Sequence, residues 1–193
     1  MRHASPSGLP GRCGQCFLPD QLCLCADIPQ LVTRTRFLLV RHANETWKST
    51  NTARLAALAL PGTQILTYGD RERSFNEGAL NLEDACVLFP ESEGACTPAR
   101  RPAQVVVLDG SWAQARRMLH RVPAFRTLPR LSLPPRPTAA LRRLRQGRTA
   151  NAMSTLEAVA GAVAVLEDEA SARALERLYA LFVHRVLQTR GEA

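Results

Sequence analysis

Four of the six cysteines fall within thirteen residues, as Cys13-x2-Cys16 and Cys23-x-Cys25. Thiols at this spacing can pair as disulfides, cycle as a redox couple, or close as thiolates around a tetrahedral ion. The stretch Met1 to Gly11 has an early arginine but no apolar run of the secretory kind, so a cytoplasmic address is expected. In that reducing setting a structural zinc site of Cys13, Cys16, Cys23 and Cys25 is the expected use, with a redox pair the alternative. Cys86 and Cys96 stand apart and suggest no chemistry.

A second group is Asp109-Gly110-Ser111-Trp112, which follows the β-branched run Val105 to Leu108 and precedes a helical pattern. Ligands of open α/β sheets lie outside the carboxyl ends of the strands, where Asp109 and Ser111 would stand. Either could instead cap the helix by accepting from its free amides, and both readings are open at this level. The third group is His42, Glu45, Lys48, Thr50, Asn51 and Thr52, a dense polar run before a helix start that would suit an anion. Its plainer uses are an N-cap from Thr50, Asn51 or Thr52 and a strand-end histidine with satisfied hydrogen bonds. The fourth, Ser154-Thr155-Leu156-Glu157, is a capping box opening a helix.

These groups need elements to hold them. Arg36 to Arg41, Gln64 to Tyr68, Cys86 to Phe89 and Val105 to Leu108 read as short strands, the first mostly apolar and so expected to be buried on both faces as parallel strands are. Helical spacing runs through Arg54, Leu55, Leu58 and Leu60 until Pro61-Gly62, from Trp112 to about Arg121, from Ser154 through Leu166, and from about Ala172 to Leu187. A short helix is expected around Ala79 to Leu82. A strand that turns at once into a helix, as at Asp109, suits an open α/β sheet. The strand ending at Phe89 empties into Pro90-Glu91, which reads equally as a ligand loop or a surface turn.

The net charge is +8 and the basic residues are 24 arginines and Lys48. That balance suits a polyanion, although a codon bias toward arginine would inflate it everywhere. Seven arginines and no acidic residue lie between Arg126 and Arg148, with Pro129, Pro134, Pro135 and Pro137 keeping the first half extended. This strip suits phosphate contact, or forms a solvated face. No apolar run is long enough for a membrane span, and nothing marks an obligate protein partner.

Taken in order, Cys-x2-Cys, Cys-x-Cys, His-x2-Glu with Thr-Asn-Thr, Asp-Gly-Ser-Trp and Ser-Thr-x-Glu-Ala resemble the DTW-domain family, the tRNA-uridine aminocarboxypropyltransferases, from Cys13 to Ala158. The family's Asp-x-Thr-Trp is carried with Ser111 in place of threonine, so a hydroxyl is kept and a methyl lost. The resemblance implies a SPOUT-like α/β fold, a mostly parallel sheet flanked by helices with a C-terminal trefoil knot, S-adenosylmethionine as donor, zinc on the N-terminal cysteines, and tRNA as partner. It implies transfer of the 3-amino-3-carboxypropyl group to N3 of a uridine, with release of methylthioadenosine. Residues 1–30 would form the tail and zinc segment, and 31–193 the catalytic domain.

The resemblance also assigns roles. Asp109, Ser111 and Trp112 would be catalytic, with Asp109 either the base for N3 or the anchor of the donor's amino group. Phe89, Pro90, Glu91, Leu108, Gly110, Ser154, Thr155 and Glu157, again with Asp109 and Trp112, would surround the donor. His42, Glu45 and Asn51 would lie near the substrate base or the donor carboxylate; on charge rather than resemblance, Arg142, Arg143, Arg145 and Arg148 are expected on tRNA phosphates. Two rivals keep parts of this reading: a SPOUT-type RNA methyltransferase, and a zinc-bearing RNA-binding protein without catalysis.

Overall fold

The computed structural model describes residues 10–89, 100–134, 144 and 153–192. Five parallel strands form one sheet: β1 (Arg36–His42), β2 (Gln64–Tyr68), β3 (Ala85–Leu88), β4 (Gln104–Asp109) and β5 (Arg130–Leu131), in the order β2-β1-β4-β3-β5. The helices are α1 (Ala53–Ala59), α2 (Trp112–Arg121), α3 (Pro123–Arg126), α4 (Thr155–Leu166) and α5 (Glu169–Thr189). The expected parallel α/β sheet flanked by helices is therefore present. The chain expected to form the knot runs largely through residues outside those described.

Strand alternation divides the core in two. Phe37 and Leu39 of β1, Cys86 and Leu88 of β3, and Val105 and Val107 of β4 face α1, α4 and α5. Leu38 and Val40, Val87, and Val106 and Leu108 face α2 and α3 on the other side. Covering both faces explains why β1, β3 and β4 read as continuous apolar runs rather than alternating ones, whereas β2, at the sheet edge, has no buried residue. The cysteine segment joins the first of these cores through Cys16, Leu18 and Leu24, all buried.

Two elements depart from expectation. The turn near Ala79 is a 3-10 helix over Glu77–Ala79, ending where the expected helix begins. The proline-rich strip begins with β5, a two-residue strand on β3 that pattern reasoning did not find. After β5 the chain crosses α4 closely: a Cβ added at Gly161 would lie 2.8 Å from Leu133 Cδ1. Gly161→Val should therefore destabilise the fold by about 2 kcal/mol, read as a lower urea midpoint, while Gly161→Ala should cost less because Leu133 can turn aside.

Candidate active site

β1 and β4 are neighbours, yet their onward connections leave in opposite directions, β1 through α1 to β2 and β4 through α2 and α3 toward β5. Those connections cover opposite faces, so a crevice opens at the carboxyl ends of β1 and β4. Arg41 pairs with Asp109 at that end. Parity then decides what each strand end meets. Asp109 continues the series Val105 and Val107 and turns toward α1 and α4, whereas His42 continues Leu38 and Val40 and turns toward α2.

Asp109 is 3% exposed. One carboxylate oxygen accepts from Asn51 Nδ2 at 2.7 Å and the other from the Thr155 hydroxyl. Thr155 is the first residue of α4, where the positive end of the helix dipole favours a carboxylate. A second tie joins the same elements, as the Leu156 amide donates to Thr52 Oγ1 at 3.1 Å. Burial pushes the Asp109 carboxyl above the usual carboxylate range; the bonds from Thr155 and Asn51 pull back, and the charge of Glu45 adds to the rise.

Around it lie buried polar groups with unspent capacity. Among the described residues Arg41 Nε, Arg54 Nη1, Asn51 Oδ1 and Thr46 Oγ1 have no hydrogen-bond partner. Burial, then the charge of Arg41, brings Arg54 down to about 10, and burial lowers Arg41 against the pull of Asp109. Glu45 is 2% exposed and takes Lys48 Nζ at 2.5 Å.

On the other side, His42 Nδ1 accepts from the Asn44 amide at 3.1 Å and lies 3.3 Å from Gln114 Nε2. Burial lowers its pKa, which favours the neutral ring. Ser111 caps α2: its hydroxyl accepts from the Gln114 amide while Gln114 Oε1 accepts from the Ser111 amide at 2.7 Å. Gly110 makes room for this box, since a Cβ there would lie 3.0 Å from Gln114 Cβ and 3.5 Å from His42 Cβ. Trp112 is 52% exposed and stacks on Phe89, with ring centroids 5.0 Å apart and planes at 19°.

The structure thus brings together Asp109, Asn51 and Thr155, with Glu45 acting on Asp109 through its charge, and sets His42, Gly110, Ser111 and Trp112 beside them on the α2 side. Leu108 packs in the core on that side. In the capping box of α4 the Ser154 hydroxyl accepts from the Glu157 amide and the Glu157 carboxylate accepts from the Ser154 amide. Pro90, Glu91, Arg142, Arg143, Arg145 and Arg148 lie outside the described residues. Sequence reasoning missed Arg54 and Gln114. Ser111-x-x-Gln114 fits the capping-box pattern and could have been read; Arg54 had only its i,i+4 relation to Leu58 as a signal.

The cysteines form a separate cluster, their four sulfurs within 4.8 Å of one another. Cys13 and Cys25 sulfurs are 3.5 Å apart and those of Cys16 and Cys23 3.8 Å apart. A tetrahedron of zinc–sulfur bonds has sulfur edges of about 3.8 Å, so the donor set fits zinc. Burial works against ionising Cys13, but the amides of Cys16 and Gln15 and the thiols of Cys25 and Cys23 outweigh it and bring that thiol to about 7.

Comparison with known proteins adds to this geometry. A protein of Mus musculus named tRNA-uridine aminocarboxypropyltransferase 2 is 27% identical over 169 residues, covering 80% of this chain and 56% of the relative. Its namesake in Macaca fascicularis shows the same identity and coverage. The Drosophila melanogaster protein of that name is 25% identical over 182 residues, 88% of this chain and 72% of the relative. The chain spans little more than half the length of the two mammalian relatives. No solved structure matches it. The DTW domain matches residues 11–187, nearly the whole chain, and the chain belongs to that family.

Proposed function

We propose that this protein transfers the 3-amino-3-carboxypropyl group of S-adenosylmethionine to N3 of a uridine in tRNA, releasing methylthioadenosine. The observation that carries the reading is the buried Asp109 carboxylate at the β1–β4 crevice, clamped by Asn51 and Thr155 from two other sequence groups. The relatives' shared name supports the reaction class and the substrate.

The bound donor would supply a carbon already activated by its sulfonium. What the protein must add is alignment and a place for the proton. Unpartnered Arg41 Nε and Arg54 Nη1 offer positive charge to an α-carboxylate, and unpartnered Asn51 Oδ1 offers an acceptor to an α-ammonium. This pairing is the complement of an amino-acid end. Asp109, its pKa raised by burial, takes the N3 proton as N3 bonds to the γ-carbon and the carbon–sulfur bond breaks. The exposed Trp112 face, backed by Phe89, gives a heterocyclic ring a stacking surface. Exposed Arg116, Arg117 and Arg121 on α2 extend a basic surface from this edge toward phosphates.

Incubation with undermodified tRNA and S-adenosylmethionine, followed by nucleoside mass spectrometry, tests donor and product together. Aminocarboxypropyluridine is the expected product. A methylated nucleoside, or tRNA binding without methylthioadenosine, would overturn the reading. Trp112→Ala should raise a substrate KM about tenfold, the loss expected for one stacking partner, with a smaller change in kcat.

A further inference from the structure

Phe17 follows the second cysteine of the first pair and has a left-handed backbone, φ 65°. The cysteine turn holds it there: the Phe17 amide donates to Cys13 O at 3.0 Å, the Cys13 amide to Leu18 O at 2.9 Å, and Arg12 Nη1 to Phe17 O at 2.9 Å. Its buried ring lies 3.6 Å from the centre of the Arg54 guanidinium and stacks on Trp47 at 6.4 Å. A cation over an aromatic face is attracted most strongly when both are out of water, as here. Arg54 Nη2 in turn donates to the Lys48 carbonyl at 2.9 Å and the Thr46 carbonyl at 3.4 Å. The Lys48 carbonyl also receives the Asn51 amide at 3.0 Å, and Asn51 holds Asp109.

We propose that Phe17 is a positioning residue: the cysteine turn presents its ring to Arg54, and Arg54 fixes the Thr46 to Asn51 loop that orients Asp109. The cysteine turn thereby helps to set the shape of the Asp109 site. The catalytic consequence rests on the role given to Asp109 above, whereas the mechanical link does not. An aliphatic side chain at position 17 would keep the position apolar but would leave the guanidinium without its ring.

The test is amide hydrogen exchange on the whole zinc-loaded chain. Phe17→Leu should keep its zinc content and the exchange of α5, yet exchange at least tenfold faster at Lys48 and Asn51. Phe17→Tyr, which keeps the ring, should restore slow exchange. Arg54→Lys should loosen the same loop, and the double variant Phe17→Leu/Arg54→Lys should be no looser than either single one. In the transfer assay, Phe17→Leu should lower kcat/KM about tenfold and move its acid limb to higher pH, because Asp109 loses the steady Asn51 bond. Unchanged loop exchange in Phe17→Leu, failure of Phe17→Tyr to restore it, or loss of zinc from Phe17→Leu would each overturn the proposal. A protein that transfers nothing but shows this exchange pattern would sink the proposed reaction and leave the link standing.

Discussion

Asp109→Asn is expected to lower kcat/KM for transfer about a thousandfold while leaving the protein folded and somewhat more resistant to heat at neutral pH. The kinetic loss follows from removing the carboxylate proposed above to receive the N3 proton, within the range that general bases contribute. The stability gain follows from the sign of the pKa shift. Burial makes the folded protein hold the Asp109 proton more tightly than the unfolded chain does, so the ionised carboxylate weighs against folding above the raised pKa. That cost vanishes as pH falls below the usual carboxylate range, and there parent and variant should melt alike. Asparagine is isosteric, and Asn51 can turn its unpartnered Oδ1 toward the new amide. Methylthioadenosine release and melting curves across pH check both halves. Full turnover in Asp109→Asn would remove Asp109 from the mechanism, and a lower melting temperature at pH 7 would contradict the desolvation account. The parent's kcat/KM should also rise with pH through a group titrating above an ordinary aspartate.

Cys16→Ser should be the most damaging single change to stability. Cys16 is fully buried and belongs both to the sulfur cluster and to the core shared with α1, α4 and α5. Serine would be a poor zinc ligand and would leave a hydroxyl in apolar surroundings. Losing the ion and burying that group should cost about 3–5 kcal/mol, which for a domain of this size is about 10 °C in Tm. Chelation of the parent should give a similar drop, and Cys86→Ser, away from the cluster, should leave the zinc content untouched. Equal melting of parent and chelated protein would mean that the cluster carries no structural ion.

β1, β3 and β4 were legible because double burial leaves a mark that needs no knowledge of neighbours, an apolar run closed by a polar or turn residue; β2, an edge strand with no buried residue, was legible from its short run ended by Gly69-Asp70. β5 was not, since two residues framed by prolines carry no periodicity and pair only because β3 is there to receive them. At the site, the residue types were readable but their company was not. Asn51 and Thr155 lie 58 and 46 residues from Asp109 along the chain, and only the ordered resemblance to a family grouped their motifs. Local chemistry could have resolved the choice at Asp109-Gly110-Ser111. The spacing Ser111-x-x-Gln114 marks Ser111 as the cap, and strand parity releases Asp109 to the opposite face. Phe17 gave no signal at all, because its role depends on a cation supplied by another element.

The two-sided core of β4 has a cost for error detection. Val105 to Leu108 are apolar whichever way they point, so hydrophobicity alone does not tell the correct register of β4 from a one-residue slip. The same slip would carry Asp109 across the sheet, from Asn51 and Thr155 to the side of His42 and Gln114. Packing alone cannot guard that register. The guard is the polar clamp itself, so the hydrogen bonds that tune the carboxylate also act as the proofreading step that tells a correctly threaded strand from a shifted one.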